Sequence, residues 1–215
     1  MKKSPQIKVC GITKSHDAME ASRLGSHYLG FILYANSPRF IPPTEAKNIL
    51  HSLNTPCPKS VAVDVNPEPQ YLAASQSFSF DFHQLHFSLT TPLGRIREWS
   101  SIVGHDKLWL APQIPPGQPF PEDILDLADT FLVDAYAKDK FGGTGHQADW
   151  TLFEGVKNKN PQKKWVLAGG IGPHNLRDVL SSVNPNVVDM NSAVESAPGI
   201  KDFAKLEAAF SLLPQ

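Results

Sequence analysis

The chain has 215 residues, enough for one domain with a sizeable core, and residues 1–215 are read here as that single domain. Twenty Lys and Arg against 21 Asp and Glu give a formal net charge of −1, which excludes a broad basic field for nucleic acid or an anionic membrane; any anion must be gripped locally. Two cysteines, Cys10 and Cys57, are too few for a disulfide framework and read as free thiols, and with neither a signal-peptide pattern nor a bilayer-long apolar run a soluble cytoplasmic protein is expected.

Eight short apolar runs recur in chain order: Ile7 to Cys10, Tyr28 to Leu33, Val61 to Val65, Phe80 to His86, Leu108 to Ala111, Phe131 to Asp134, Trp165 to Ala168 and Val187 to Met190. Between them, Ser15 to Leu24, Pro43 to Leu53, Glu122 to Ala128 and Pro173 to Leu180 have amphipathic spacing, several opened by Ser or Pro as a helix start requires. The Pro-rich tract Gln113 to Pro121 reads as the loop after the fifth strand. Runs that are continuously apolar suit a parallel sheet covered on both faces. Eight of them predict a closed (β/α)₈ barrel, the TIM barrel of the α/β class; a doubly wound open sheet is the runner-up, but Cys10-Gly11-Ile12-Thr13 is not its glycine turn.

In such a barrel the chemistry lies where the strands end in the C-terminal direction. That position selects Cys10, Arg39, Asp64, His86, Asp134, Gly169, Gly170 and the turn from Asn191 through Ser192 to Ala193. Taken alone, Cys10 reads as an inert small hydrophobe, as most buried free cysteines are; its place before Gly11 at the barrel mouth shifts the reading toward a nucleophile or base. Asp134 ends an apolar run, where it is either a surface or helix-capping aspartate or a carboxyl that partial desolvation suits to act as a general acid, and Lys140 to Gly145 with its three glycines follows. Loops after strands seven and eight often form a phosphate site from backbone N–H groups, which fits Gly169-Gly170 and Ser192-Ala193. Arg39, on a loop stiffened by Pro38, either clamps a carboxylate or is merely solvated. The eight histidines suggest no metal site; His86 lines the pocket or caps a turn, and Cys57, flanked by prolines at the opposite end, reads as structural.

These residues, together with Lys8 to Thr13, Leu29-Gly30-Phe31, Ser37 to Ile41, Val63-Asp64-Val65, Gln84-Leu85-His86, Asp149-Trp150, Leu167 to Ile171, Val188 to Glu195 and Pro198 to Asp202, resemble the phosphoribosylanthranilate isomerase family over nearly the whole chain. The resemblance implies an Amadori rearrangement in tryptophan biosynthesis. N-(5-phosphoribosyl)anthranilate becomes 1-(2-carboxyphenylamino)-1-deoxyribulose 5-phosphate, with Cys10 as general base, Asp134 as general acid and Arg39 facing the anthranilate carboxylate. The implied partner is this small phosphosugar, bound by a monomer or homodimer with no cofactor, nucleic acid or membrane. Two positions depart from the family pattern: Phe87 stands where it has glycine, which would narrow the pocket mouth, and Ala193 also replaces a glycine. Alanine keeps its N–H, so it serves an anion where its φ is negative. The alternatives are a non-catalytic phosphosugar-binding barrel and an isomerase of a related phosphorylated sugar. Because the reaction needs a protonated acid and a thiolate together, the site is expected to pull the thiol pKa down and push the carboxyl up.

Overall fold

A computed structural model describes residues 4–53, 57–134 and 150–214. Eight parallel strands close into a barrel in sequence order: β1 (Gln6–Val9), β2 (Tyr28–Ile32), β3 (Lys59–Val65), β4 (Phe82–Ser88), β5 (Leu108–Gln113), β6 (Thr130–Val133), β7 (Lys164–Leu167) and β8 (Val187–Met190), with β8 pairing back onto β1. This is the (β/α)₈ barrel that the apolar runs predict. The helices α1 (Ser15–Arg23) and α2 (Pro43–His51) stand where amphipathic spacing puts them. The structure adds α3 (Pro69–Ser75), α4 (Leu93–Val103), α5 (Trp150–Lys159) and α7 (Phe203–Ser211), while α6 (Leu176–Ser182) starts three residues after Pro173. Glu122–Leu127 winds as a 3₁₀ helix instead of an α-helix, and Gln113 to Pro121 is the connection leading to it.

Side chains alternate across each strand, and the two faces have separate cores. The outward face packs against the helices through Ile7, Val9, Leu29, Phe31, Leu85, Phe131, Trp165 and Leu167. The inward face closes the floor of the barrel with Tyr28, Phe82 and Trp109, whose ring centroids lie 5.1 to 5.8 Å apart. Lys164 reaches this floor as well, donating to the Tyr28 hydroxyl at 2.6 Å. A floor sealed by rings leaves the opposite mouth as the way in.

β4 begins at Phe82, two residues later than expected. Ser79 takes a left-handed φ of +51°, and Asp81 is occupied in accepting from the backbone N–H and hydroxyl of Ser60 at 2.8 Å each. Phe80 packs in the outer core instead of pairing. No helix among the described residues is long and apolar enough to cross a membrane.

Candidate active site

A pocket opens at the C-terminal mouth of the strands, lined among others by Cys10, Arg39, His86, Asp134, Gly169, Gly170 and Ser192. Eight of the ten residues that the strand ends select, Asn191 among them, therefore line one cavity; Asp64 and Ala193 do not. Ala193 stands one step behind in a 3₁₀ turn over Ser192–Val194. It is not among the described non-glycine residues with positive φ, so its Cβ carries no left-handed strain. Its Cβ lies 2.7 Å from where a Cβ on Gly172 would stand, so the glycine in the seventh loop makes room for the alanine in the eighth.

Gly169 and Gly170 take φ of +95° and +62°, a conformation that side chains rarely adopt, and this is why the turn after β7 is a glycine pair. Asn175 braces that turn from behind: its Nδ2 donates to Gly170 O at 3.1 Å and its Oδ1 accepts from Gly172 N at 3.0 Å. Gly11, after β1, also has positive φ, at +74°. A Cβ there would stand 2.6 Å from Asn191 Oδ1 and 2.9 Å from Arg39 Cδ, so glycine lets loops one, two and eight meet.

Arg39 is buried, and its guanidinium already holds a carboxylate. Nε donates to both oxygens of Glu195 at 3.0 Å and Nη2 to Oε2 at 2.7 Å. Lys201 Nζ donates to Glu195 Oε1 at 2.8 Å and to Asn191 Oδ1 at 3.2 Å. Burial would raise the pKa of Glu195, but Arg39 and Lys201 hold it below its ordinary value. Two cations on one carboxylate leave the rim with a local positive surplus, as an anionic substrate requires.

A second buried network lies deeper. Lys8, in the middle of β1, is register partner to Asp189 in β8; its Nζ donates to Asp189 Oδ2 at 2.6 Å and to Gln84 Oε1 at 2.7 Å. Burial works against the ammonium, yet Asp189 and Cys10 hold its pKa above the ordinary lysine value. Lysine has only donors, so Gln84 must present its oxygen to Lys8 and its Nε2–H to His86 Nε2, 2.8 Å away. His86 is then the neutral Nδ1–H tautomer, and burial together with the nearby Lys8 charge pushes its pKa down to about 3.

Cys10 is 4 % exposed, and burial pushes its thiol up; Lys8 and Lys201 oppose that and Asp189 adds to it. The expectation that the site lowers this thiol is therefore overturned: desolvation outweighs both cations. Three other readings also change. Phe87 does not narrow the mouth; it is buried on the outward face against Trp99, at 5.7 Å between ring centroids. Asp64 faces away from the pocket, because Val63 and Val65 line it and strand alternation turns Asp64 to the other side. Cys57 is exposed before β3 rather than built into the core. The glycine-rich segment Lys140 to Gly145 and Asp149 lie outside the described residues.

His83 and His86 point to opposite faces of β4, and no group of three His, Cys, Asp or Glu side chains that could hold a metal ion occurs among the described residues. Sequence reasoning missed Lys8, Gln84, Asp189, Glu195 and Lys201 as working parts of the site.

The family model for N-(5'-phosphoribosyl)anthranilate isomerase matches residues 7–211. A relative of that name from Synechococcus elongatus is 32% identical over 212 residues, covering 97% of this chain and 95% of its own. Among solved structures, phosphoribosyl anthranilate isomerase from Thermus thermophilus superposes with a TM-score of 0.80 at 31% identity, covering 96% of this chain and 97% of its own. Another isomerase structure, in complex with reduced 1-(o-carboxyphenylamino)-1-deoxyribulose 5-phosphate, gives a TM-score of 0.73 at 27% identity over 96% and 97% of the two chains.

Proposed function

The chain belongs to the N-(5'-phosphoribosyl)anthranilate isomerase family, and from that premise we propose that it rearranges N-(5-phosphoribosyl)anthranilate to 1-(2-carboxyphenylamino)-1-deoxyribulose 5-phosphate. This is the aldose–ketose step of tryptophan biosynthesis. The observation that carries the reading is the meeting of Cys10 and Asp134 in one pocket whose rim bears Arg39 and the positive-φ pair Gly169-Gly170.

In this mechanism Asp134 delivers a proton to the ribose ring oxygen, the ring opens, and the anthranilate nitrogen becomes the iminium of a Schiff base. Cys10, as thiolate, removes the proton from the adjacent sugar carbon, and the resulting enolamine tautomerises to the ketone. The substrate's own nitrogen is the electron sink, so the chain's residues need supply only proton transfer and anchoring. The phosphate sits on the turns at Gly169-Gly170 and Ser192-Ala193. The anthranilate carboxylate meets the Arg39 side of the rim, where Nη1 remains beyond the Glu195 pairing. His86, neutral and oriented through Gln84, offers a polar contact to the bound sugar.

A fluorescence assay tests this directly. The emission of phosphoribosylanthranilate should vanish on adding pure protein; if it persists while the compound still binds, the chain is a phosphosugar-binding barrel without catalysis.

A further inference from the structure

Cys10 directly follows β1, two residues after Lys8, and its N–H still pairs with Met190 O of β8 at 2.8 Å, so both side chains point into the barrel, one above the other. Gly30 on the neighbouring strand keeps the space between them open: a Cβ there would stand 2.7 Å from Cys10 Sγ and 3.0 Å from Lys8 Cε. Any larger residue at this point would have to displace the thiol or the lysine stem. Lys8 has three N–H donors, of which Asp189 and Gln84 take two at 2.6 and 2.7 Å. The third faces the Cys10 sulfur as a nearby charge, since the same point above Gly30 lies 2.7 Å from Cys10 Sγ and 3.0 Å from Lys8 Cε. The ring of Trp109, 5.9 Å from Nζ, closes the underside of the lysine. With its side chain fully buried, the ammonium has no solvent route by which to turn away.

We infer that Lys8 is a positioning residue for Cys10: its ammonium, pinned by Asp189 and Gln84, holds the sulfur in place and stabilises the thiolate form. The inference rests on the reading of Cys10 as the base only for its catalytic consequence; the coupling between the two side chains stands on their geometry. The charged groups acting on the sulfur are Lys8 from its own strand, Asp189 from β8 and Lys201 from the β9 (Glu195–Ala197) and β10 (Ile200–Lys201) hairpin. From β4, His86 faces the same pocket as a neutral ring, and Arg39 lies at the rim bound to Glu195. Two ammonium groups and one carboxylate thus act directly on the thiol, an arrangement that forming a thiolate balances. Asp189 competes with the sulfur for the same ammonium, so removing the lysine and removing the aspartate should shift the thiol in opposite directions.

The test is alkylation of Cys10 by iodoacetamide as a function of pH, read by mass spectrometry of the intact chain in a Cys57→Ser background, since Cys57 is exposed and would also react. Lys8→Met should lower the alkylation rate near neutral pH about tenfold or more, the fold-change of about one pKa unit, and move the titration to higher pH. Asp189→Asn should do the reverse, with faster alkylation and a lower titration midpoint. A purely structural role for the pair would move both variants in the same direction, which overturns the inference, as does an unchanged midpoint in both. Should Lys8→Met fail to fold, because it leaves Asp189 buried without its cation, Asp189→Asn and the double variant Lys8→Met/Asp189→Asn carry the test, the double variant titrating above Asp189→Asn. Turnover of Cys10→Ser is measured separately. If that variant is fully active while the lysine and aspartate variants shift the thiol as stated, the base assignment falls and the coupling stands.

Discussion

Arg39 in the second loop and Glu195 at the end of the eighth are locked together across the barrel mouth by three hydrogen bonds of 2.7 to 3.0 Å, both side chains buried. The pairing fixes the guanidinium before any substrate arrives, and the entropy of ordering a long side chain is already spent in folding. Arg39→Ala should therefore raise KM by more than it lowers kcat, because an anchor on a group remote from the bond changes holds ground state and transition state alike. Arg39→Lys should recover little, since a point charge cannot reproduce the planar two-nitrogen grip. Steady-state kinetics decide it, and an unchanged KM removes Arg39 from the substrate site.

Glu195→Gln tests the other half of the relationship. It leaves Arg39 and Lys201 as two buried cations without a counter-charge, and breaking a buried pair from one side costs about 3–5 kcal/mol. Urea unfolding should show the loss as a lower midpoint at unchanged slope. A stability equal to that of the parent chain would mean that the two cations find another partner.

Gly11→Ala should be worse than an ordinary surface Gly→Ala change. The φ of +74° costs a side chain about 1–2 kcal/mol, and the added methyl would stand 2.6 Å from Asn191 Oδ1 and 2.9 Å from Arg39 Cδ. Because those two side chains line the pocket, the loss should show in KM as well as in thermal stability. A variant with lowered stability and parental KM would place the strain in the backbone alone.

Much of this arrangement is legible in the sequence. The eight apolar runs mark the barrel, and the ends of those runs point to Cys10, His86, Asp134 and the Gly169-Gly170 turn, all of which line the pocket. The buried ion pair is legible too, through a different signal: Lys8 and Asp189 each interrupt a strand that is otherwise apolar, and opposite charges inside two fully buried strands must meet. A search of strand ends passes over them because they sit mid-strand. Glu195 and Lys201 lack such a signal, since partners six residues apart become neighbours only once a short hairpin folds back. The thiol pKa is not legible, for a physical reason: sequence supplies the neighbouring charges but not the degree of burial, and at Cys10 burial is the larger effect. Helix α4 is legible too, since it buries Ile96, Trp99, Ser100 and Val103 at helical spacing, whereas the seven residues of α3 are too few to show a period.

Acid should destabilise the fold through two histidines on β4. Burial, aided by Lys107, pushes His83 down to about 4, and burial with Lys8 pushes His86 down to about 3, both below the ordinary value of 6.5. Between those values and 6.5 the unfolded chain binds more protons than the folded one, so stability rises with pH across the window and falls on acidification through it. From about pH 7 to about pH 5 the loss is on the order of 2 kcal/mol per histidine. His83→Gln, on the face away from the pocket, should remove about half of the dependence. Urea midpoints that stay level from neutral pH to about pH 5 would contradict the burial of both rings as the cause.

The pH dependence of turnover joins Cys10 to Asp134. The mechanism needs the thiolate and the protonated carboxyl at once, yet burial holds the thiol above its ordinary value, and an ordinary carboxyl titrates far below any thiol. The working state is then a minor one in which the proton sits on the group of lower pKa. Its population is constant between the two titrations and falls outside them, so kcat/KM should be bell-shaped, the two limbs belonging to Cys10 and Asp134 as a coupled pair. The upper limb should lie above the ordinary thiol range, where the raised thiol finally ionises and the pair has no proton left to give. Cys10→Ser should cost roughly 10² to 10⁴ in kcat and remove that limb, because a hydroxyl does not titrate in the range; Asp134→Asn should cost a similar factor and remove the lower one. Neither should change KM much, since neither group anchors the phosphate or the anthranilate carboxylate. If the upper limb stays in place in Cys10→Ser, the group responsible lies elsewhere in the pocket and the thiol is not the base.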